Sequence, residues 1–377
     1  MISVSIPYFL NPFGAPPNAE DEYARIWHSI VQTIQENIGK TTSVTVSTFG
    51  NIDGANKYSG GVLAPNGKIY CVPRNATSVL EIDPISHTTV TFGSLSTLGS
   101  KWVGGCLAKN GKIYCFPSAA PDILEINPDN RTVSTFGSVS GASINNWLGG
   151  IAAPNGKLYG IPSRSSAVLK IDPVSRTATQ IMNIPLDTAA ENWDGGVLHP
   201  NGNIYAIPAT ARRVLEINPN DETYHNLGPQ LAVGSMMWAS GSIAANGKAY
   251  GTPNNLGSHL EINPTAGTVV PINIASQNIS GSANRWKSSA LAPNGKIYSV
   301  PGTASAVLEF DPTNNTTNVF GALGVTSATK WVGLVLAGNR KLYGIPYNST
   351  SILEISLGNN IEDFSQEALL SGYLNKY

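Results

Sequence analysis

Residues 58–73 read YSGGVLAPNGKIYCVP, and this pattern returns six more times along the 377-residue chain. The first six copies have an aromatic residue, a pair of small residues, an apolar run, Asn-Gly, a second run containing Tyr, and Pro. The Asn-Gly pair recurs at 66–67, 110–111, 155–156, 201–202, 246–247 and 294–295, and a degenerate copy follows at 338–340. A period of 44 to 48 residues with turn signals in each copy is typical of a ring-shaped repeat protein.

Each repeat predicts four short β-strands. An Asn-Gly pair flanked by apolar runs is a strong hairpin signal, so residues 61–64 and 68–72 are predicted as the first two strands. Residues 79–83 and 89–92 are predicted as the third and fourth strands. Around a two-residue turn, Val62 and Cys71 would share one face, and Leu63 and Tyr70 the other. Strands that are apolar on both faces indicate sheets sandwiched between other sheets, as in a propeller blade.

The two ends of the repeat region complement each other. Residues 43–50 read SVTVSTFG, which matches the fourth-strand sequence VSTFG at 133–137, while the last repeat stops after its third strand. Residues 43–50 are therefore predicted to complete the last blade, because closing the ring removes exposed sheet edges. The fold prediction is an all-β, seven-bladed β-propeller of four-stranded blades over residues 43–358.

Composition excludes several classes of protein. The formal net charge is −1 and charged residues make up 12% of the chain, so the basic excess of a nucleic-acid-binding protein is missing. The sequence has no run of 18 apolar residues, which a transmembrane helix would require, so we expect no membrane insertion. The first basic residue is Arg25, so we also expect no signal peptide.

Helices are predicted outside the ring. Residues 1–42 form an N-terminal arm with an amphipathic helix at 19–38, and residues 359–377 form a C-terminal helical tail. The apolar stripe of the first helix consists of Tyr23, Ile26, Trp27, Ile30 and Ile34. Such a stripe only indicates that something covers it. The stripe either packs on the propeller or binds a protein partner or a larger particle. The sequence also leaves open whether the protein forms an oligomer.

The repeat as a whole resembles a known group of propellers. Gly-Gly, x-N-G-K-I-Y and V-L-E-I-D-P, followed by T-x-T-F, resemble the repeats of the virginiamycin B lyase family and of related NHL and YVTN-type propellers. The lyase family implies a metal site of His and Glu on the loops of one face. This chain departs from that pattern, because Pro follows the second strand and no His/Glu pair is found. Of its five histidines, only His259 is expected in a loop of the candidate face.

No catalytic constellation is predicted, and neither a metal nor a cofactor. A recurring carboxylate is interpreted as structural, with each Glu hydrogen-bonded to a neighbouring strand, because a catalytic site is usually singular. These residues are Glu81, Glu125, Glu216, Glu261, Glu309 and Glu354. Lys170 interrupts the series, and the sequence offers no reason for it.

Aromatic residues at the start of each repeat are the predicted ligand-binding residues, with the alternative that they wedge between blades. They are Tyr58, Trp102, Trp147, Trp193, Trp238, Trp286 and Trp331. Four cations directly precede members of this set, and three arginines lie in loops that differ among the copies, where specificity can reside. These candidates are Lys57, Lys101, Arg285 and Lys330, with Arg74, Arg164 and Arg212.

Two cysteines in the second repeat raise the question of a disulfide. If Asn110-Gly111 is a two-residue turn, Cys106 and Cys115 lie directly opposite each other, within disulfide range. Buried reduced thiols are the expected state.

Three functional hypotheses follow. The leading one is a non-enzymatic recognition or adhesion propeller, a phage or viral tail-fibre or other virion surface protein that binds cell-surface glycan or protein. The second is a lyase or hydrolase with its site in the central funnel, which a metal near His259 would favour. The third is a purely structural virion or scaffold protein. Few charges together with no signal peptide suit a virion or extracellular location.

Overall fold

The computed structural model describes residues 44–357 except 142, 233 and 275–282, and the regular structure in this part is entirely β. Each blade contributes one innermost strand, which begins at the repeated aromatic residue. These strands are β2 (Tyr58–Leu63), β6 (Trp102–Leu107), β10 (Trp147–Ala152), β14 (Trp193–Leu198), β18 (Trp238–Ile243), β22 (Trp286–Leu291) and β26 (Trp331–Leu336). The second strands are β3 (Ile69–Pro73), β7 (Ile113–Pro117), β11 (Leu158–Pro162), β15 (Ile204–Pro208), β19 (Ala249–Pro253), β23 (Ile297–Pro301) and β27 (Leu342–Pro346).

The outer half of each blade is more polar. The third strands are β4 (Val79–Asp83), β8 (Asp122–Asn127), β12 (Val168–Asp172), β16 (Val214–Asn218), β20 (Ser258–Asn263), β24 (Val307–Asp311) and β28 (Ile352–Ser356). The outermost strands are β5 (Thr88–Phe92), β9 (Thr132–Ser138), β13 (Thr177–Ile181), β17 (Thr223–Leu227), β21 (Thr268–Asn273), β25 (Thr316–Phe320) and β1 (Thr45–Phe49).

Seven antiparallel four-stranded sheets result, and the predicted ring closure is confirmed. Six sheets run in chain order from the inside outward, whereas the seventh has the order β26-β27-β28-β1. In that last sheet Thr45 pairs with Ser356 and Phe49 pairs with Ile352. The strand that begins the described chain therefore completes the blade that ends it.

The hairpin turns differ from the sequence prediction. Leu63 pairs with Ile69, and the amide of Ala64 donates to the carbonyl of Lys68 at 2.9 Å. The turn thus has three residues, and Gly67 occupies its left-handed position with φ +77°. One extra turn residue slips the register by one and exchanges the faces. Val62 therefore pairs with Tyr70, and the predicted pairing of Val62 with Cys71 is wrong.

The same slip settles the geometry of the cysteines. Cys106 pairs with Tyr114 and Gly105 pairs with Cys115, so the two cysteines are not directly opposite, as a two-residue turn would require. Cys71, Cys106 and Cys115 are all buried, and none of the three forms a disulfide bond. Burial raises the pKa of the Cys115 thiol well above its ordinary value, so it stays protonated.

The hydrophobic core consists of the seams between blades. One face of the first blade, including Val62 and Tyr70, packs on Trp102 and Leu107 of the second blade. Its other face, including Leu63, packs against the last blade. Both inner strands of the first blade are buried throughout, whereas its outermost strand alternates and is mostly exposed.

An ion pair between blades, which we call a brace, holds four of the seams in the described part of the chain, on the side of the Asn-Gly turns. In the first blade Tyr70 Oη donates to Glu81 Oε2 at 3.0 Å, and Lys68 Nζ lies 2.8 Å from Oε1. Arg131 of the next blade adds an ion pair at 2.9 Å. Its hydrogen bond lowers the pKa of Glu81 to about 2. Each of the six recurring carboxylates accepts a hydrogen bond from the Tyr hydroxyl of the neighbouring strand, as predicted.

Lys170 now has an explanation. Its Nζ lies 2.6 Å from Oε1 of Glu222, which occupies in the fourth blade the turn position that Arg131 holds in the second. Both partners of the brace have exchanged charge, so the ion pair between blades is kept with its polarity reversed.

The terminal predictions lie outside the described residues: the arm and helix of 1–42, the stripe Tyr23, Ile26, Trp27, Ile30 and Ile34, and the tail of 359–377. Within the described part of the chain, no helix has the length and hydropathy needed to cross a bilayer.

Candidate functional site

A β-bulge at the start of each innermost strand shapes the centre of the ring. In the second blade Trp102 pairs with Pro117 and Gly105 pairs with Cys115, so two residues, Val103 and Gly104, stand opposite one. Gly104 adopts φ +67°, a left-handed conformation that glycine tolerates. A bulge re-aims the side chains beside it. It explains how the residue after the buried aromatic comes to line the centre of the ring.

A cavity of about 260 Å³ occupies that centre, and all seven innermost strands line it. Six of them contribute the residue that directly follows the aromatic, and the fifth blade contributes the next residue along. The lining side chains at this level are Ser59, Val103, Leu148, Asp194, Ser240, Lys287 and Val332.

Below this level the backbones of neighbouring blades nearly touch. A Cβ atom added to Gly104 would stand 2.5 Å from Cα of Gly149, and one added to Gly333 would stand 2.8 Å from Cα of Gly60. Only glycine permits such an approach. Gly60, Gly104 and Gly149 therefore line the cavity where neighbouring innermost strands come closest to each other.

The rim consists of loops on that one face. Residues from the loops between blades and from the loops after the second strands line the upper cavity. They are Arg74, Asn145, Glu191, Met236, Asn284, Thr329 and Tyr347.

Asp194 and Lys287 are the two charged side chains at the level of the innermost strands. Among the described residues neither side chain has a hydrogen-bond or ion-pair partner within range, although the two interact electrostatically. Burial raises the pKa of Asp194 and lowers the pKa of Lys287, and in each case the opposite charge of the other partly offsets the shift. Burial thus pushes both groups toward their neutral forms.

Two more charges at the rim extend this pattern. Arg74 lies over the ring of Tyr347 at 5.6 Å, and its Nη2 donates to Ser100 Oγ at 3.2 Å. Its Nε is buried without a hydrogen-bond partner in the described part of the chain. Glu191 Oε1 accepts from Asn145 Nδ2 at 3.0 Å and from Arg164 Nη2 at 2.7 Å.

The predicted aromatic ligand-binding residues are buried between blades. Each ring from Tyr58 to Trp331 is at most 3% exposed, and none lines the cavity. Each of the six Trp Nε1–H groups donates to a backbone carbonyl twenty residues further on, at 2.7 to 2.9 Å. This placement agrees with the alternative interpretation, in which the aromatic residues wedge between blades. Ligand contact through these rings stays a prediction to which their burial gives no support.

Most of the predicted cations serve the loops. Lys57, Lys101 and Lys330 each donate through Nζ to backbone carbonyls, as does the guanidinium of Arg285 to Asn255. Arg212 is half-buried away from the cavity. Of the three loop arginines, Arg74 lines the cavity and Arg164 reaches it through Glu191.

His259 lies in strand β20 rather than in a loop, so that expectation is wrong. The residue pairs with Ile272, is 1% exposed and stacks on Phe310 at 4.2 Å between ring centroids. Burial lowers its pKa to about 3, so it is neutral at physiological pH. Within the described residues no three His, Cys, Asp or Glu side chains are grouped to hold a metal ion.

Sequence reasoning missed Asp194 and Lys287. A signal was present, because the position after the aromatic reads Ser, Val, Leu, Asp, Ala, Lys and Val through the seven copies. The other five residues at this position are small or apolar, so the two charges distinguish the fourth and sixth blades from the rest.

Comparisons with known proteins show the fold. No protein-family model matches the chain, and no curated protein matches it. Among solved structures, a catalytically inactive variant of virginiamycin B lyase from Staphylococcus aureus with quinupristin is 10% identical, with a TM-score of 0.69 over 83% of this chain and 99% of that one. The extracellular domain of a hybrid two-component system from B. thetaiotaomicron is 12% identical, with a TM-score of 0.62 over 85% of this chain and 43% of that one.

Hydrazine synthase of Kuenenia stuttgartiensis is also similar, at 13% identity and a TM-score of 0.60 over 80% of this chain and 96% of that one. A lyase, an extracellular domain of a two-component system and a synthase thus share one architecture at these identities. The chain is thus similar to seven-bladed propellers of the virginiamycin B lyase type in fold, and function has to be argued from its own residues.

Proposed function

We propose that the chain is a non-enzymatic recognition propeller that binds the terminal residue of a cell-surface glycan in its central cavity. The observation that carries the proposal is the cavity itself, which is lined by all seven innermost strands and by loops of one face. Its volume lies just below the roughly 300–1,000 Å³ of ordinary small-molecule pockets. A pocket of this size suits a single terminal residue better than a longer stretch of glycan.

The lining supports a polar ligand. Asn145, Asn284, Thr329 and Ser59 offer amide and hydroxyl groups beside the ring of Tyr347. Fixed hydrogen-bonding groups around a small apolar surface are what a hydroxyl-rich ligand requires.

Attachment to a larger assembly, such as a phage tail fibre or another virion surface, belongs to the same proposal. Thr45 and Ser356 are register partners at the end of the last blade that lies away from the cavity. Both chain ends therefore leave the ring on the side opposite the ligand. In this arrangement the stripe Tyr23, Ile26, Trp27, Ile30 and Ile34 contacts the protein partner.

The test is a glycan array, with whole-cell binding beside it, on the intact protein and on Val332→Trp, which fills the cavity. A matched control is Val174→Trp, because Val174 is 89% exposed in a distant turn. We expect binding that the cavity variant loses at least tenfold and the control keeps, with both melting temperatures near that of the parent. Binding that survives Val332→Trp would contradict the proposal.

A second candidate function is a lyase or hydrolase working in the same cavity. Perturbed pKa values cluster at functional sites, and Asp194 and Lys287 are both shifted toward neutrality. A protonated Asp194 could act as a general acid. Turnover of a bound glycan, detected by mass spectrometry and lost in Asp194→Asn while binding persists, would favour this candidate.

A further inference from the structure

We propose that the cavity selects a ligand end that carries one positive and one negative group together, such as an amino-sugar acid. This inference rests on the proposed binding function and names its ligand class. It follows from where the charges stand around the ring.

The inner charges are separated by one blade. Asp194 belongs to the fourth blade and Lys287 to the sixth, with Ala239 at the equivalent position of the fifth. The pair forms no salt bridge, so each charge is left to face the cavity. A ligand placed between them can contact both.

The rim adds two more charges near this pair. Arg74 lies close enough to Lys287 to lower its pKa, while Glu191 lies close enough to raise the pKa of both Asp194 and Lys287. Glu191 already accepts hydrogen bonds from Arg164 and Asn145, whereas Asp194 and Lys287 have no ion-pair partner among the described residues.

Simpler ligands satisfy only half of the site. An anion alone would pair with Lys287 and Arg74 but would leave Asp194 desolvated and without a partner. A cation alone would pair with Asp194 but would leave Lys287 desolvated and without a partner. Removing a charge from water without a partner is unfavourable, so full occupancy favours both charges on one molecule.

Four open-chain six-carbon compounds test the inference by isothermal titration calorimetry at pH 7. They are 2-amino-2-deoxygluconic acid, which is zwitterionic, gluconate, which is an anion, 1-amino-1-deoxyglucitol, which is a cation, and neutral sorbitol. We expect the zwitterion to bind at least tenfold more tightly than each of the other three.

Two variants should shift selectivity in opposite directions. Lys287→Met should remove the advantage of a carboxylate and bring 1-amino-1-deoxyglucitol level with the zwitterion. Asp194→Asn should do the same for gluconate. A general loss of folding cannot produce opposite preferences, and Glu222→Gln, outside the cavity, serves as the matched control that keeps the parent order.

The outcomes separate the two proposals. Equal binding of all four compounds, or no binding of any, overturns the zwitterion inference. If Val332→Trp still abolishes glycan binding on the array, the proposed recognition function stands without it. If the array also shows no cavity-dependent binding, both fall.

Discussion

Neighbouring residues in this repeat do unrelated work. Trp102 is wedged between blades and Val103 lines the cavity, because the bulge turns the two side chains apart. Residue type alone pointed to the aromatic as the ligand contact. The local backbone instead places the next residue along at the cavity.

His259 should make the stability of the protein depend on pH. Its folded pKa of about 3 lies below the ordinary value near 6.5, so between these values the unfolded chain binds a proton that the folded chain does not. Stability therefore falls as the pH is lowered through this window, by up to about 1.4 kcal/mol per pH unit. We expect His259→Phe, which keeps a ring against Phe310, to remove this part of the slope.

Urea unfolding at several pH values between 3 and 7 measures the effect. His225→Phe is the control for replacing an imidazole with a phenyl ring, because His225 is exposed on an outermost strand. Parallel stability curves for the parent and His259→Phe would contradict the prediction.

At the scale of single elements, the positions of the strands could be predicted from the sequence. Which of their side chains lie on the same face of the sheet could not. Residues 79–83 match strand β4 as predicted, because a short, mostly apolar run that ends at Asp-Pro leaves little freedom. An Asn-Gly pair, however, fits both two- and three-residue turns, and the choice between them decides which side chains share a face. Only the observed pairing of Ala64 with Lys68 resolves it.

The reversed ion pair between the third and fourth blades offers a test of the brace. Lys170→Glu should place two carboxylates together and lower the free energy of unfolding by about 0.5–1 kcal/mol, since both partners are partly exposed. The double variant Lys170→Glu/Glu222→Arg reproduces the Glu81–Arg131 arrangement of the first two blades and should recover the loss.

A double-mutant cycle by urea unfolding provides the measurement. Glu222→Arg alone completes the cycle and should also destabilise, because it faces Lys170. Strictly additive effects of the two substitutions would show that the brace contributes no coupling.

For the whole molecule, the number of blades follows from counting repeats, whereas the site does not. Asp194 and Lys287 are 93 residues apart in the sequence, and they approach only when the ring is complete. The closure of the ring could be read from the matching sequences of its two ends. The cavity forms only where the innermost strands of all seven repeats meet, so the sequence of a single repeat does not reveal it.

A covalent lock on the closing strand pair should stabilise the ring. Thr45 and Ser356 are register partners, and Cα atoms in such antiparallel pairs are about 4.5–5.5 Å apart, within the range of a disulfide. We expect the oxidised Thr45→Cys/Ser356→Cys variant to gain about 2–4 kcal/mol of stability, because the bond restricts the unfolded chain.

Thermal unfolding with and without reductant measures the gain. Each single cysteine variant controls for the substitution itself, and the three native thiols are buried and stay out of the exchange. Equal melting temperatures of the oxidised and reduced double variant would show that the closing strand pair does not limit stability.

The side-by-side position of Thr45 and Ser356 also sets how the ring responds to force. Pulling the two chain ends apart would load the Thr45–Ser356 pair first and then open the ladder one pair at a time toward Phe49 and Ile352, which is the weakest way to load a sheet. If one support holds both ends, a force applied to a ligand at the opposite face is instead transmitted along the strands. The pairing of β1 with β28 then stays intact under tension.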